Sequence, residues 1–231
     1  MKVRIVLAAV AMAFCMTSGA WSQPQHTQPA GKPGQTSPPG AHMEHRFDDP
    51  ERYAKSFDHP ARDEWQMPVR VIETLALAPG EVVADIGAGT GYFTVRLAKA
   101  AARPKVYAVD IENSMVEYVR QRAAREGLQQ VVAVQGSADR ANLPEPVDVV
   151  LLVDTYHHIP NRPAYFRELR KSIKRSGRLA IIDFRRGAPS GPPEQFCFTP
   201  AQITGELKQA GFTLLAQHDF LPRQLFLVYT F

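Results

Sequence analysis

Short apolar runs and amphipathic segments alternate along this chain from residue 81 onward. The runs at 81–86 (EVVADI), 105–110 (KVYAVD), 130–135 (QVVAVQ), 147–153 (VDVVLLV) and 178–184 (RLAIIDF) have the length and branched side chains of strands. The fourth is the most apolar, which predicts a central strand covered on both faces. Segments 92–102, 114–126, 163–173 and 200–210 read as the intervening helices. In 114–126, Met115, Val116 and Val119 form one face and Gly127 stops the helix. Pro163 suits a first helical turn. Thr199 is the expected N-cap of the last helix and Gly211 its stop. Two final strands, 212–218 and 224–230, are joined through Pro222-Arg223, a connection too short for a parallel crossover. A further helix, 62–76, interrupted near Pro68, precedes the first strand. The alternation predicts an α/β fold: a seven-stranded, mostly parallel sheet with helices on both faces and a C-terminal antiparallel hairpin.

The N-terminal part follows a different pattern. Lys2 and Arg4 precede an unbroken apolar run of 12 residues, 5–16. A bilayer core takes roughly 20, so this run suits the apolar region of a secretory signal peptide rather than a membrane span. Ala20-Trp21-Ser22 offers a small-x-small cleavage pattern, so residues 1–22 are expected to be removed and Gln23 to begin the mature chain. Cys15 follows the bulky Phe14, which argues against lipoprotein processing. Residues 23–45 are rich in Pro, Gly and Gln with hardly any large apolar side chain, and cannot bury enough surface to offset their ordering entropy. They read as a linker, and 46–231 as the folded domain, with 46–76 as an N-terminal cap segment. The expected location is the periplasm or beyond; translation from Met43 would keep every motif below and leave a cytoplasmic product. Loss of Cys15 leaves Cys197 alone, with no internal disulfide.

Composition narrows the partners. The 231 residues are 45% hydrophobic and 22% charged, an ordinary globular balance. The net charge of +4 includes no Lys/Arg run that would track a phosphate backbone, so nucleic acid is not an expected partner. Scattered His26, His42 and His45 read as solvated, and no metal site is expected.

The chemistry concentrates after the first strand, at Asp85-Ile86-Gly87-Ala88-Gly89-Thr90-Gly91. Glycines let a backbone turn sharply and approach a ligand. Open parallel sheets bind ligands at the carboxyl ends of their strands. A dinucleotide fingerprint spaces its glycines G-x-G-x-x-G; here the spacing is G-x-G-x-G and Tyr92 stands where the third would be. Asp85 precedes the glycines, and Asp110 ends the second strand, where a carboxylate can accept from both hydroxyls of a ribose.

Strand, D-x-G-x-G-x-G, helix, strand and terminal Asp together resemble the class I S-adenosylmethionine-dependent methyltransferases. Within them the chain looks most like the "type 11" group that includes the ubiquinone and menaquinone methyltransferases. The resemblance covers about residues 76–231. It implies a Rossmann-like fold with S-adenosylmethionine as cofactor and a small-molecule methyl acceptor. It also implies that Asp85 and the backbone of Gly87, Ala88, Gly89 and Gly91 hold the methionine end, that Asp110 holds the ribose, and that Ile111 packs on adenine. The family often carries Gly-Asp-Ala after the third strand; here the text is Gly136-Ser137-Ala138-Asp139, so Ala138 and Asp139 are the expected adenine contacts.

Asp154-Thr155-Tyr156-His157-His158 follows the most apolar strand at the same edge. Asp154 is counted with the cofactor residues. Tyr156, His157 and His158 are the catalytic candidates, since a neutral histidine near the acceptor can take its proton; the alternative is that one histidine packs in the core and the other caps the next helix. The D-T-Y text differs from the D-P-P-Y of amino-methylating nucleic-acid enzymes. Phe47, Tyr53, Phe57 and Trp65 crowd the cap segment, either covering the site or packing on the sheet. Two other function classes remain: an exported cofactor-binding protein without catalysis, and a nicotinamide-dependent oxidoreductase.

Overall fold

The computed structural model describes residues 42–43 and 46–231. The expected signal peptide and most of the expected linker lie outside them. The cap segment forms three short helices, α1 (Pro50–Phe57), α2 (Arg62–Gln66) and α3 (Pro68–Thr74). The apolar pattern did not announce α1, but its start is encoded locally. Asp49 accepts from the Arg52 N–H, and Pro50 takes the first turn, where it forfeits no internal hydrogen bond. The break near Pro68 is present. Met67, whose right-handed helical geometry the following proline disfavours, closes α2 in a left-handed conformation at φ 46°.

The strands are β1 (Val82–Ile86), β2 (Lys105–Asp110), β3 (Val131–Gln135), β4 (Val147–Val153), β5 (Ile173–Phe184), β6 (Thr213–His218) and β7 (Gln224–Thr230). Between them lie α4 (Tyr92–Lys99), α5 (Asn113–Arg125), α6 (Arg162–Arg170) and α7 (Pro200–Gln209). One sheet runs β3-β2-β1-β4-β5-β7-β6. It is parallel through β5, and β7 pairs antiparallel with both β5 and β6, as expected. One boundary moves: α6 ends at Arg170 and the next strand begins at Ile173 rather than near 178. Ile173 pairs with Val147 and Arg178 with Val149, so the extra residues form an irregularity in β5.

Strand side chains alternate between two layers. Ile86, Val150, Leu152, Leu179 and Ile181 pack with Phe166 of α6 and Leu207 of α7. Val83, Val149, Leu151, Ala180 and Ile182 pack with Val71 of α3 and Leu97 of α4. Thr199 caps α7 in a reciprocal box, accepting from Gln202 N–H while the Gln202 side chain accepts from its own N–H. The chain steps outward from β1 to β2 and β3, then returns to β4 on the other side of β1. The carboxyl ends of β1 and β4 therefore flank the switch point of the sheet, where such folds hold ligands.

Candidate active site

Gly87, Gly89 and Gly91 have φ of 73°, 55° and 87°, a region that side chains rarely enter. At Gly87 space is also decisive, since an added Cβ would fall 2.2 Å from Thr155 Oγ1 on the turn after β4. The loop is tied to β2. The N–H groups of Gly87 and Ala88 both donate to the Val109 carbonyl, at 2.8 and 3.0 Å. Gly89 N–H donates to Asp110 Oδ2 at 2.8 Å, and Glu112 N–H to Asp110 Oδ1 at 3.0 Å. Burial raises the Asp110 pKa, and those two N–H bonds oppose it. The next side chain, Ile111, is 56% exposed, unusual for an isoleucine. Thr90 Oγ1 is buried with no hydrogen-bond partner among the described residues. A half-buried carboxylate, close backbone and an exposed apolar side chain thus converge at the switch point. That combination can bind vicinal hydroxyls beside a planar ring, so the residues present fit a nucleoside cofactor.

Ala138 and Asp139 lie elsewhere on this rim. Both are exposed, on the loop after β3. Asp139 accepts from Ser137 Oγ at 2.5 Å and pairs loosely with Arg140 at 3.8 Å. The loop is joined to β2 through Gly136 N–H, which donates to the Asp110 carbonyl at 2.9 Å.

The turn after β4 spreads its residues widely. Tyr156 is fully buried, stacked on Phe166 and donating to Glu206 of α7 at 2.6 Å, so its hydroxyl belongs to the core rather than to the ligand edge. His157 is 3% exposed. Its Nδ1 lies 2.8 and 3.0 Å from the Asp183 carboxylate oxygens, and its N–H donates to the same group at 3.1 Å. Burial lowers the His157 pKa, but the Asp183 charge outweighs it and the net direction is upward. His158 is half-buried, its Nδ1 2.7 Å from the Met43 carbonyl, while Met43 N–H donates to His157 O at 2.9 Å. Neither histidine caps α6; Asn161 does, accepting from Ala164 N–H. No group of three metal-ligating side chains occurs among the described residues.

The cap segment brings three of its four expected aromatic residues to the glycine loop, and adds polar pairings that the sequence did not announce. Phe47, Tyr53 and Phe57 cluster at 4.9–5.7 Å, with Phe47 also 5.6 Å from His158. The Phe57 ring lies over Gly89, 3.5 Å from where a Cβ would be. Asp58 pairs with Arg122 of α5 at 2.9 and 3.0 Å, and Arg122 also donates to the Thr90 carbonyl at 2.8 Å. Arg62 and Gln66, one turn apart on α2, meet Gln224 and Asp154. Gln66 Nε2 donates to Gln224 Oε1 at 2.6 Å, Gln224 Nε2 to Asp154 Oδ1 at 2.5 Å, and Arg62 Nη2 lies 3.5 Å from Asp154 Oδ2. Asp154 holds a left-handed φ of 54°. Nothing in QLFLVYT showed that its first residue, Gln224, is a fully buried amide.

Asp85 is 3% exposed and accepts from Thr94 Oγ1 at 2.6 Å. Burial pushes its pKa up from 3.8 to about 6, against the pull of Thr94. A carboxyl raised on folding destabilises the fold once ionised. The penalty is absent below about pH 4, grows as pH rises towards about 6, and reaches roughly 3 kcal/mol above that. Asp85→Asn can still accept from Thr94. It should therefore unfold at higher temperature or denaturant than the parent near neutral pH, by about 1–3 kcal/mol, with the difference fading towards about pH 4. Equal stabilities in neutral urea melts would contradict this.

A methyltransferase-domain family model matches residues 77–216. The chain is 34% identical over 125 residues to protein-L-isoaspartate O-methyltransferase of Methylorubrum populi, covering 53% of this chain and 51% of that protein. It is 32% identical over 118 residues to 27-O-demethylrifamycin SV methyltransferase of Amycolatopsis mediterranei, covering 50% and 43%. It thus spans about half or less of the length of these curated relatives. A crystal structure of an S-adenosylmethionine-dependent methyltransferase from Aquifex aeolicus matches with a TM-score of 0.71 at 26% identity, over 78% of this chain and 97% of that one. Glycine loop, acid-ended second strand, antiparallel last strand and these relatives agree: the chain belongs to the class I S-adenosylmethionine-dependent methyltransferases.

Proposed function

We propose that this chain transfers a methyl group from S-adenosylmethionine to a small-molecule acceptor. The observation that carries the reading is the Asp110 carboxylate, bonded to Gly89 at the switch point and followed by exposed Ile111. Asp110 would accept from the ribose hydroxyls, Ile111 would lie on the adenine, and Ala138 with Asp139 would border its amino group. Asp85 would face the cationic amino end, next to the Gly87, Ala88, Gly89 and Gly91 backbone, with Asp154 closing the far side. When bound, the cofactor supplies an electrophilic methyl group on a positively charged sulfur. The protein's own contribution is alignment and exclusion of water, by the Phe47–Tyr53–Phe57 cluster over the loop.

Of the three catalytic candidates, His158 is best suited to take a proton. Its Nδ1 faces a carbonyl and must be the protonated nitrogen, which makes Nε2 the basic one in the neutral ring. His157, held by Asp183, positions the turn, and Tyr156 roots it in the core. A small acceptor is supported by the relative named for 27-O-demethylrifamycin SV. The β6–β7 hairpin and Tyr92 leave a nicotinamide reading without support. For the location we propose export, with Gln23 first in the mature chain. N-terminal sequencing of the native protein should find Gln23; Met43 or Glu44 in a cytosolic fraction would overturn it.

Methyl-labelled cofactor incubated with the chain and pooled small-molecule acceptors should yield labelled product. With an acceptor in hand, His158→Ala should lose roughly 100-fold in turnover while keeping cofactor affinity. Binding without any label transfer would favour the non-catalytic alternative.

A further inference from the structure

Arg62 has surroundings that a free cation would choose. Its guanidinium carbon lies 4.0 Å from the Tyr92 ring centroid, a cation–π distance. Nη2 faces Asp154 Oδ2 at 3.5 Å, Nη1 donates to the Phe57 carbonyl at 2.9 Å, and Nε and Nη2 both donate to Gln66 Oε1 at 3.1 Å. The side chain is only 14% exposed. Its charge acts on both acids of the β1 and β4 ends, holding down the otherwise raised pKa values of Asp85 and Asp154. These two acids are the ones assigned above to a cofactor that carries positive charge at its sulfur and its amino group. Arg62 also belongs to the segment whose Phe57 ring covers Gly89. The cation that faces Asp154 and acts on Asp85 from further off is thus attached to the segment that covers the loop.

We propose that Arg62 stands in for the positive charge of the cofactor, occupying its cation subsite against Tyr92 and Asp154 and yielding it when the cofactor binds. The inference rests on the cofactor reading above. Binding then includes the cost of displacing one cation by another, because a ligand shifts a conformational equilibrium only by its differential affinity for the two states. A side chain that merely anchors the cap has the opposite consequence, since removing it would loosen the site and weaken binding.

The test is calorimetric titration of S-adenosylmethionine and S-adenosylhomocysteine into the full chain, Arg62→Met and Arg62→Lys. Arg62→Met should bind S-adenosylmethionine about tenfold tighter, the scale of one relieved like-charge contact in a protein environment. Arg62→Lys, which keeps the charge, should bind as the parent does. A gain confined to S-adenosylmethionine marks the sulfonium as the charge replaced; an equal gain for both ligands marks the amino group, and either supports the proposal. Unchanged or weaker binding by a folded Arg62→Met overturns it. In the unaltered chain, the Arg62 Nε–H resonance should shift as cofactor is added; an unmoved resonance at saturation overturns the proposal even if the Met variant fails to fold. A parent chain that binds neither ligand overturns the cofactor reading itself, and this inference with it.

Discussion

Two turns meet at the centre of this molecule with no room for a side chain between them. Gly87, after β1, faces Thr155, after β4, so closely that a single Cβ would overlap the threonine hydroxyl. The contact exists because β1 and β4 are neighbours in the sheet although β2 and β3 separate them in sequence. Everything proposed for the site hangs on it. The glycine loop can run back to Val109 and Asp110 on one side only because the β4 turn closes it on the other. The same turn sends Asp154 towards the cap and roots Tyr156 in the core.

Three acids, Asp85, Asp110 and Asp154, gather at this edge, each with its pKa raised by loss of solvent. Burying carboxylates is costly unless they are hydrogen-bonded or paired. Each has a separate remedy: a threonine hydroxyl for Asp85, backbone N–H groups for Asp110, a glutamine amide and an arginine for Asp154. Perturbed acids of this kind concentrate where a protein binds or reacts rather than where it only folds. An edge built in this way suits the proposed ligand, which would bring positive charge and hydroxyl donors.

The sheet was legible because its first four strands are short apolar runs that end at or just before a glycine or an aspartate, and because Pro222-Arg223 permits only an antiparallel return. The glycine loop was legible because steric demands on backbone are written as residue type. The helix α1 was not, since its apolar side is a single turn-spaced pair, Tyr53 and Phe57, that faces the glycine loop and leaves no residue of the helix fully buried; Asp49-Pro50 marks its start. Tyr156 and the two histidines are adjacent in sequence, yet a single 3-10 turn sends one to the core, one to Asp183 and one to the rim. Pairings across the fold, such as Arg62 with Asp154 or Asp58 with Arg122, join residues 92 and 64 positions apart and leave no local signal.

The central claim is that the acid ending β2 and the loop it holds form a site for S-adenosylmethionine. Calorimetric titration of the parent and of Asp110→Ala tests it most directly. The account predicts saturable binding of one S-adenosylmethionine per chain, no binding of NAD, and a loss of about 2–4 kcal/mol of affinity in a folded Asp110→Ala, from hydrogen bonds to a charged acceptor. Preference for NAD, or undiminished S-adenosylmethionine affinity in that variant, would contradict it.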